Sequence, residues 1–303
     1  MVMEISGSRL CDLQRIENKD FENKDFENKD FENKDLKQIF EFMWTKQSEL
    51  KRTIANNLKE MGMQVEENIG YVYAKGNLPV LLVAHLDTYS NQVPIFLCRD
   101  FSDRLYARGE PMGADDRCGV YAIFKILEEM NPHVLFTVGE ELGELGAVMA
   151  TKKLEAPNVK YIIELDRAGY NECVFYNCGN QQFREYIESF GFTTEKGTAS
   201  DISVLGPAWD IATANLSIGY YNAHMVEEYI NYIELKHSIA KVKIILDDCE
   251  KVPYFNYQNN FESTRTSEYI NWDVERLEQL LEGYTMMTDC GYAWHKPKQK
   301  KQQ

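Results

Sequence analysis

The sequence predicts an α/β domain with a mixed, mostly parallel central sheet flanked by helices on both faces. Three observations carry this reading. Strand-like and helix-like hydrophobic patterns alternate from about residue 63 to 248. LPVLLVAHLDT (78–88) is a continuous apolar run and KYIIELD (160–166) reads as a further buried strand, the pattern of strands covered on both faces. Acidic and imidazole side chains stand where these strands end, the edge at which parallel sheets bind ligands.

The elements follow in order. Residues 37–61 place Ile39, Phe42, Met43, Leu50, Ile54 and Leu58 at helical spacing, and Gly62 stops the helix. MQVEENIGYVYAKG (63–76) alternates as a hairpin does, and the 78–88 strand comes next. CRDFSDRLYARG reads as a second strand pair. GVYAIFKILEEM has helical spacing until Asn131-Pro132 ends it, and HVLFTVGEE returns to a strand. After the 160–166 strand come ECVFYNCG, an amphipathic helix from Gln181 to Phe190, a strand over 210–219 and a long helix over 226–247.

Composition limits what this domain does. The chain has 303 residues, 44% of them hydrophobic, enough for one large domain or two small ones. A net charge of -15 argues against nucleic-acid binding, which needs clustered Lys and Arg; only the tail HKPKQKK is basic. No early segment joins a charged start to an apolar core, and no apolar run approaches the roughly 18 residues that span a bilayer, so neither secretion nor a membrane location is expected. The seven cysteines lack paired spacing and read as reduced, cytoplasmic thiols.

Residues 16–35 read IENKD FENKD FENKD FENKD. A five-residue period rotates each aromatic by about 140° on a helix and flips it across a strand, so neither state forms an apolar face. Residues 1–35 therefore read as a disordered, solvated segment, with a partner-binding arm as the alternative. The folded domain is expected from Leu36 to about residue 250.

His85 and Asp87 close the first buried strand, Asp115 and Asp116 precede a helix in MGADDRCGV, Glu140 and Glu141 close the next strand, Asp166 closes the third, and His224 ends GYYNAH. Singly, each is explained as a cap or surface residue. Together they require that successive strand ends converge on one rim by accident, and a metal site is the better account. Imidazole and carboxylate without thiolate suit zinc, with manganese or cobalt as alternatives. Two histidines and three carboxylates exceed the needs of one catalytic zinc and suffice for two, about 3.5–4 Å apart, if one carboxylate bridges. Such a pair supplies the positive charge that adjacent Asp115 and Asp116 demand.

HLDT, GADDRCG, GEELGELG, ELD and GYYNAH, in this order, resemble the co-catalytic di-zinc exopeptidases of peptidase clan MH. The resemblance covers about residues 63–248. It implies that His85 and Asp166 hold one zinc, Glu141 and His224 hold the other, and Asp115 bridges them through a turn with a cis Asp115-Asp116 peptide. It implies that Asp87 orients His85, that Glu140 is the general base, and that Glu144 is structural. Asp201, in GTASDISVLG, is implied as a partner for a substrate amine, with a turn-capping role as the alternative. Tyr220, Tyr221 and Phe192 are candidate pocket residues, or packing residues.

Related acylases and carboxypeptidases insert a lid of roughly a hundred residues after the Asp ligand; here only residues 167–223, 57 in number, separate Asp166 from His224. The chain is therefore most similar to the simple, lidless aminopeptidases. Its expected substrate is a short peptide, with an N-acyl amino acid as the alternative and a non-catalytic relative as a third. Oligomeric state is not legible. Beyond residue 250 the resemblance fades into an extension with one helix, over 272–283, and a basic tail. CGYAWH, with Cys290 and His295, lacks the second Cys pair of a metal motif.

Overall fold

The computed structural model describes residues 2–4, 34–90, 93–260 and 267–290. Strand β1 (Val2–Glu4) pairs antiparallel with β5 (Phe96–Arg99). The pentapeptide repeat up to residue 33, His295 and the basic tail lie outside the described residues.

Residues 37–61, joined into one helix by their periodicity, form two: α1 (Lys34–Trp44) and α2 (Gln47–Glu60). The chain is extended at Lys46, and the Arg117 guanidinium takes the terminal carbonyls of α1, donating to Phe42 O at 2.5 Å and Thr45 O at 3.0 Å. Helix α1 starts inside the last repeat, where Asp35 pairs with Lys125 at 3.0 Å, rather than at Leu36.

The expected hairpin is present as β2 (Gln64–Glu67) and β3 (Tyr71–Lys75), paired antiparallel. Next come β4 (Leu78–His85), the β5–β6 hairpin with β6 at Arg104–Ala107, α3 (Ala114–Leu127), β7 (Pro132–Thr137), α4 (Leu145–Lys153) and β8 (Tyr161–Arg167). They lead to β9 (Glu172–Val174), α5 (Gln181–Glu188), β10 (Thr193–Thr194), α6 (Ile202–Trp209) and β11 (Thr213–Ser217). The chain continues through β12 (Tyr220–Tyr221), β13 (Tyr229–Asn231), α7 (Tyr232–Asp248) and α8 (Val274–Asp289).

The main sheet has eight strands in the order β10-β9-β11-β8-β4-β7-β3-β2. Its centre, β11-β8-β4-β7, is parallel throughout, while β3 and β2 add an antiparallel edge. Strands β7 and β11 are buried along their whole length, as strands covered on both faces must be. Helix α3 packs on β4 and β8 with α1 and α7 against it; α4 packs on β3 and β7 with α6 and α8 against it. Because the four central strands run in one direction, their carboxyl ends share an edge, with His85 in register with Thr137 across β4 and β7.

The smaller sheet has the order β1-β5-β6-β13-β12 and corrects one expectation. The expected strand pair is present as β5 and β6, which lie in this second sheet. Residues 229–231 are strand, not the start of a helix; α7 begins only at Tyr232, because the Asn231 side chain accepts from Glu234 N and caps it there. Helix α6 has no counterpart in the sequence reading, since Gly206-Pro207 in its last turn mimics a break.

Candidate metal centre

Each ligand candidate arrives on a different loop at the carboxyl edge of the parallel strands. His85 ends β4, Asp166 is the next-to-last residue of β8, Glu140 and Glu141 follow β7, and His224 lies in the loop between β12 and β13. Asp115 and Asp116 open α3, where their backbone departs from helical angles and their shared peptide is cis.

The structure brings five of these side chains together. His85 Nε2 lies 3.0 Å from Asp115 Oδ1 and 3.5 Å from Asp166 Oδ1. His224 Nε2 lies 3.2 Å from Asp115 Oδ2 and 2.8 Å from Glu141 Oε1. Each Asp115 oxygen thus faces a different histidine. Two sets of candidate donors result, His85-Asp115-Asp166 and Asp115-Glu141-His224, sharing Asp115 alone. Glu140 stands beside them, its Oε2 4.0 Å from His85 Nε2, and belongs to neither set.

The proton arrangement argues for a cation here. His85 Nδ1 is 3.0 Å from the Asp87 carbonyl, which only accepts, so Nδ1 carries the hydrogen. In the neutral ring, Nε2 then turns a lone pair toward two carboxylates, which is tolerable only with a proton or a metal ion between them. Glu141 Oε1 is buried beside His224 Nε2 without hydrogen-bond geometry, so the histidine is its ion-pair partner but no hydrogen bond satisfies it. Among the described residues, Asp115, Glu140, Glu141 and Asp166 form ion pairs only with histidine. Imidazole and carboxylate donors without thiolate, in two triads, fit a pair of zinc ions.

Protonation equilibria reflect this crowding. Burial and the nearby Asp115 charge push Asp166 up to about 7, against the pull of His85. Burial raises Glu140 well above the carboxylate range; Asp166, Asp201 and Glu141 reinforce it and His85 opposes it. His85 is buried, which disfavours its charge, yet Asp166, Asp115 and Asp87 outweigh burial and raise it well above its ordinary value. Asp115 and Glu141 raise His224 to about 10.

The remaining expected site residues lie outside the two donor sets, though the Tyr220 hydroxyl reaches the carboxylate of Asp166, 3.3 Å from its Oδ1. The Asp87 carboxylate stands 3.6 Å from His85 Nδ1, beyond hydrogen-bond reach, and instead accepts from the amides of Gly139, Glu140 and Glu141 at 2.8, 3.2 and 3.2 Å. Asp116 accepts from His85 N and Gly119 N. Asp201 is fully buried at the N-terminus of α6 and accepts from Thr137 Oγ1. Tyr220 is buried and donates to the Asp166 carbonyl at 3.1 Å. The Tyr221 hydroxyl goes to Glu234 at 2.5 Å, and Phe192 is buried with Lys241 Nζ over its ring. Glu144 is buried in a left-handed conformation before α4. Cys290 is exposed.

Three neighbours escaped the sequence reading. Tyr89 stacks on the His224 ring, centroids 4.5 Å apart and planes within 9°. Ser200 Oγ donates to Glu164 Oε2 at 2.5 Å and lies 3.2 Å from Asp166 Oδ2. Glu228 is buried against the loop that carries Asp115. No sequence periodicity marks them, because each is defined by what the fold sets opposite it.

No protein-family model matches the chain, and no curated protein matches it. Solved structures do. A tripeptidase from Staphylococcus aureus superposes with a TM-score of 0.59 at 14% identity, covering 73% of this chain and 99% of that one. Aminopeptidase PepT from Bacillus cereus gives a TM-score of 0.57 at 16% identity, covering 71% and 98%. A Zn-dependent exopeptidase from Parabacteroides distasonis gives 0.50 at 15% identity, covering 70% and 97%. The chain has the fold of these exopeptidases: a mixed, mostly parallel sheet between helices, with its carboxyl edge holding the donor cluster. No helix among the described residues is long and apolar enough to cross a membrane.

Proposed function

We propose that this protein is a two-zinc metallopeptidase that removes N-terminal residues from short peptides, acting in the cytoplasm. The observation that carries the reading is the placement of Asp115, whose two oxygens face two histidines, each completed by one further carboxylate. The lack of paired cysteine spacing in the sequence supports a reducing site of action.

His85, Asp115 and Asp166 would hold one ion, and Asp115, Glu141 and His224 the other. Bound zinc supplies Lewis-acid polarisation of a carbonyl and a water of lowered pKa. Glu140 has the position and basicity of the proton carrier: partly buried, raised in pKa, next to the donors yet outside both triads. It takes the proton from the attacking water and returns it to the nitrogen of the departing amine. The Asp87 carboxylate holds the Glu140-Glu141 turn, so that base and ligand keep their separate directions. Asp201 is fully buried with one carboxylate oxygen on Thr137 Oγ1, and Tyr221 is turned to Glu234, so neither is given a role in this reading. Manganese or cobalt is compatible with the same donors.

The test is a panel of aminoacyl-nitroanilides and N-acyl amino acids on zinc-loaded and chelator-treated protein. Metal-dependent release from the aminoacyl substrates supports the proposal. Turnover of the N-acyl compounds alone moves the assignment to a deacylase, and inactivity on both with two ions bound rejects it.

A further inference from the structure

Two buried carboxylates outside the donor triads, Asp87 and Glu228, form a matched pair. Asp87, two residues after His85, accepts from three successive amides, Gly139 to Glu141. Glu228, four residues after His224, accepts from Gly113 N at 2.6 Å and Asp115 N at 3.2 Å, and the Ala114 amide faces the same carboxylate. Both amide runs begin at a left-handed glycine, Gly113 with φ 75° and Gly139 with φ 82°, a conformation that turns consecutive N–H groups toward one point and makes an anion-binding concavity. Each run ends on a candidate ligand. Each histidine loop therefore carries the carboxylate that holds another ligand's loop, so the four loops are tied crosswise.

We propose that Glu228 is a positioning residue that sets the bridging carboxylate of Asp115 between His85 and His224. Glu228 is 1% exposed and belongs to neither donor triad, so it is not a ligand in reserve. It places another acid beside Asp115 and Asp116, a repulsive arrangement that a glutamine of equal volume would avoid. The carboxylate suits this place because it offers only acceptors to these amides, whereas a glutamine would turn an NH2 donor against one of them. Because Asp115 serves both triads, a loosened Glu228 affects both metal sites together.

This inference rests on the two-metal reading, and the experiment separates the two. Wild type, Glu228→Gln and Glu228→Asp are freed of metal and titrated with Co2+, following uptake, affinity against a competing chelator and the visible absorption of the bound ions. Wild type takes up two ions. Glu228→Gln is expected to bind both about 10–100-fold more weakly, the range seen when the residues behind metal ligands are removed, and with an altered visible spectrum. Glu228→Asp, which keeps the charge but shortens the reach, lies between. A residue that only fills space would lower the melting temperature in chelator and leave affinity and spectrum unchanged; that result overturns the proposal. If the glutamine variant does not fold, wild-type affinity in the aspartate variant overturns it equally. A wild type that binds no cobalt removes the metal-centre reading and this inference with it.

Discussion

His85 Nε2 and Asp115 Oδ1 stand 3.0 Å apart, with the only ring hydrogen of neutral His85 committed to the Asp87 carbonyl on the opposite side. The same Asp115 carboxylate turns its second oxygen to His224. Its neighbour Asp116 has a different task, accepting from the backbone amides of His85 and Gly119.

Asp115→Asn replaces one acceptor oxygen by a donor in the shared position, so the protein is expected to lose both ions. Asp116→Asn is expected to keep two ions and to unfold more easily, by about 1–3 kcal/mol, because it disturbs buried amide partners. Metal content by mass spectrometry and thermal unfolding separate the two. Retention of both ions by Asp115→Asn would show that this residue does not bridge.

Glu140 and Glu141 are adjacent, yet only Glu141 belongs to a donor triad. Glu140→Gln is expected to hold two ions and to lose roughly 10²–10⁴ in kcat, the usual contribution of a general base. Glu141→Gln is expected to bind one ion more weakly. Two variants with identical, full metal loading would refute the division of roles.

The metal-free site gives stability an unusual pH dependence. Asp166 and Asp201 are raised to about 7, so the stabilising protons they hold in the folded state are fully kept below pH ~4 and lost as pH rises toward 7. His224, raised to about 10, has the same sign, its contribution present below about 6.5 and lost toward 10. Asp115 and Asp87 are lowered, and their contribution falls away only under strong acid. The melting temperature in chelator is therefore expected to fall between pH 5.5 and 8.5. Excess zinc should offset this increasingly as pH rises, since its ligands must be deprotonated. A melting temperature that climbs with pH in chelator contradicts the assignment.

The segment after residue 267 braces the loop that carries Glu140 and Glu141. Ser267 Oγ donates to Gly143 O at 2.6 Å, and fully buried Leu281 packs where Gly70 and Gly139 leave room. Leu281→Ala is expected to cost about 2–5 kcal/mol, the range for a buried leucine. Denaturant unfolding checks it, and a change within about 0.5 kcal/mol would mean that α8 is a dispensable appendage.

The sequence by itself determined the sheet and the chemical character of its edge. Apolar runs such as 78–88 have one way to be covered on both sides, and polar residues closing them must share a rim when the strands run parallel. It also separated the β2–β3 hairpin from the buried strands, because a period of two is visible in the residues themselves. Tertiary structure decided what depends on partners distant in the chain. Arg117 splits the first helix from 72 residues away, and Asn231 delays α7 at the end of a strand held between β6 and β12. The Asp87 carboxylate goes to amides some fifty positions downstream, and Glu228 goes to amides more than a hundred positions upstream. Periodicity reports the face on which a side chain falls. Which donor or acceptor it meets is set by loops brought together across the sheet, and that pairing leaves no local trace in the sequence.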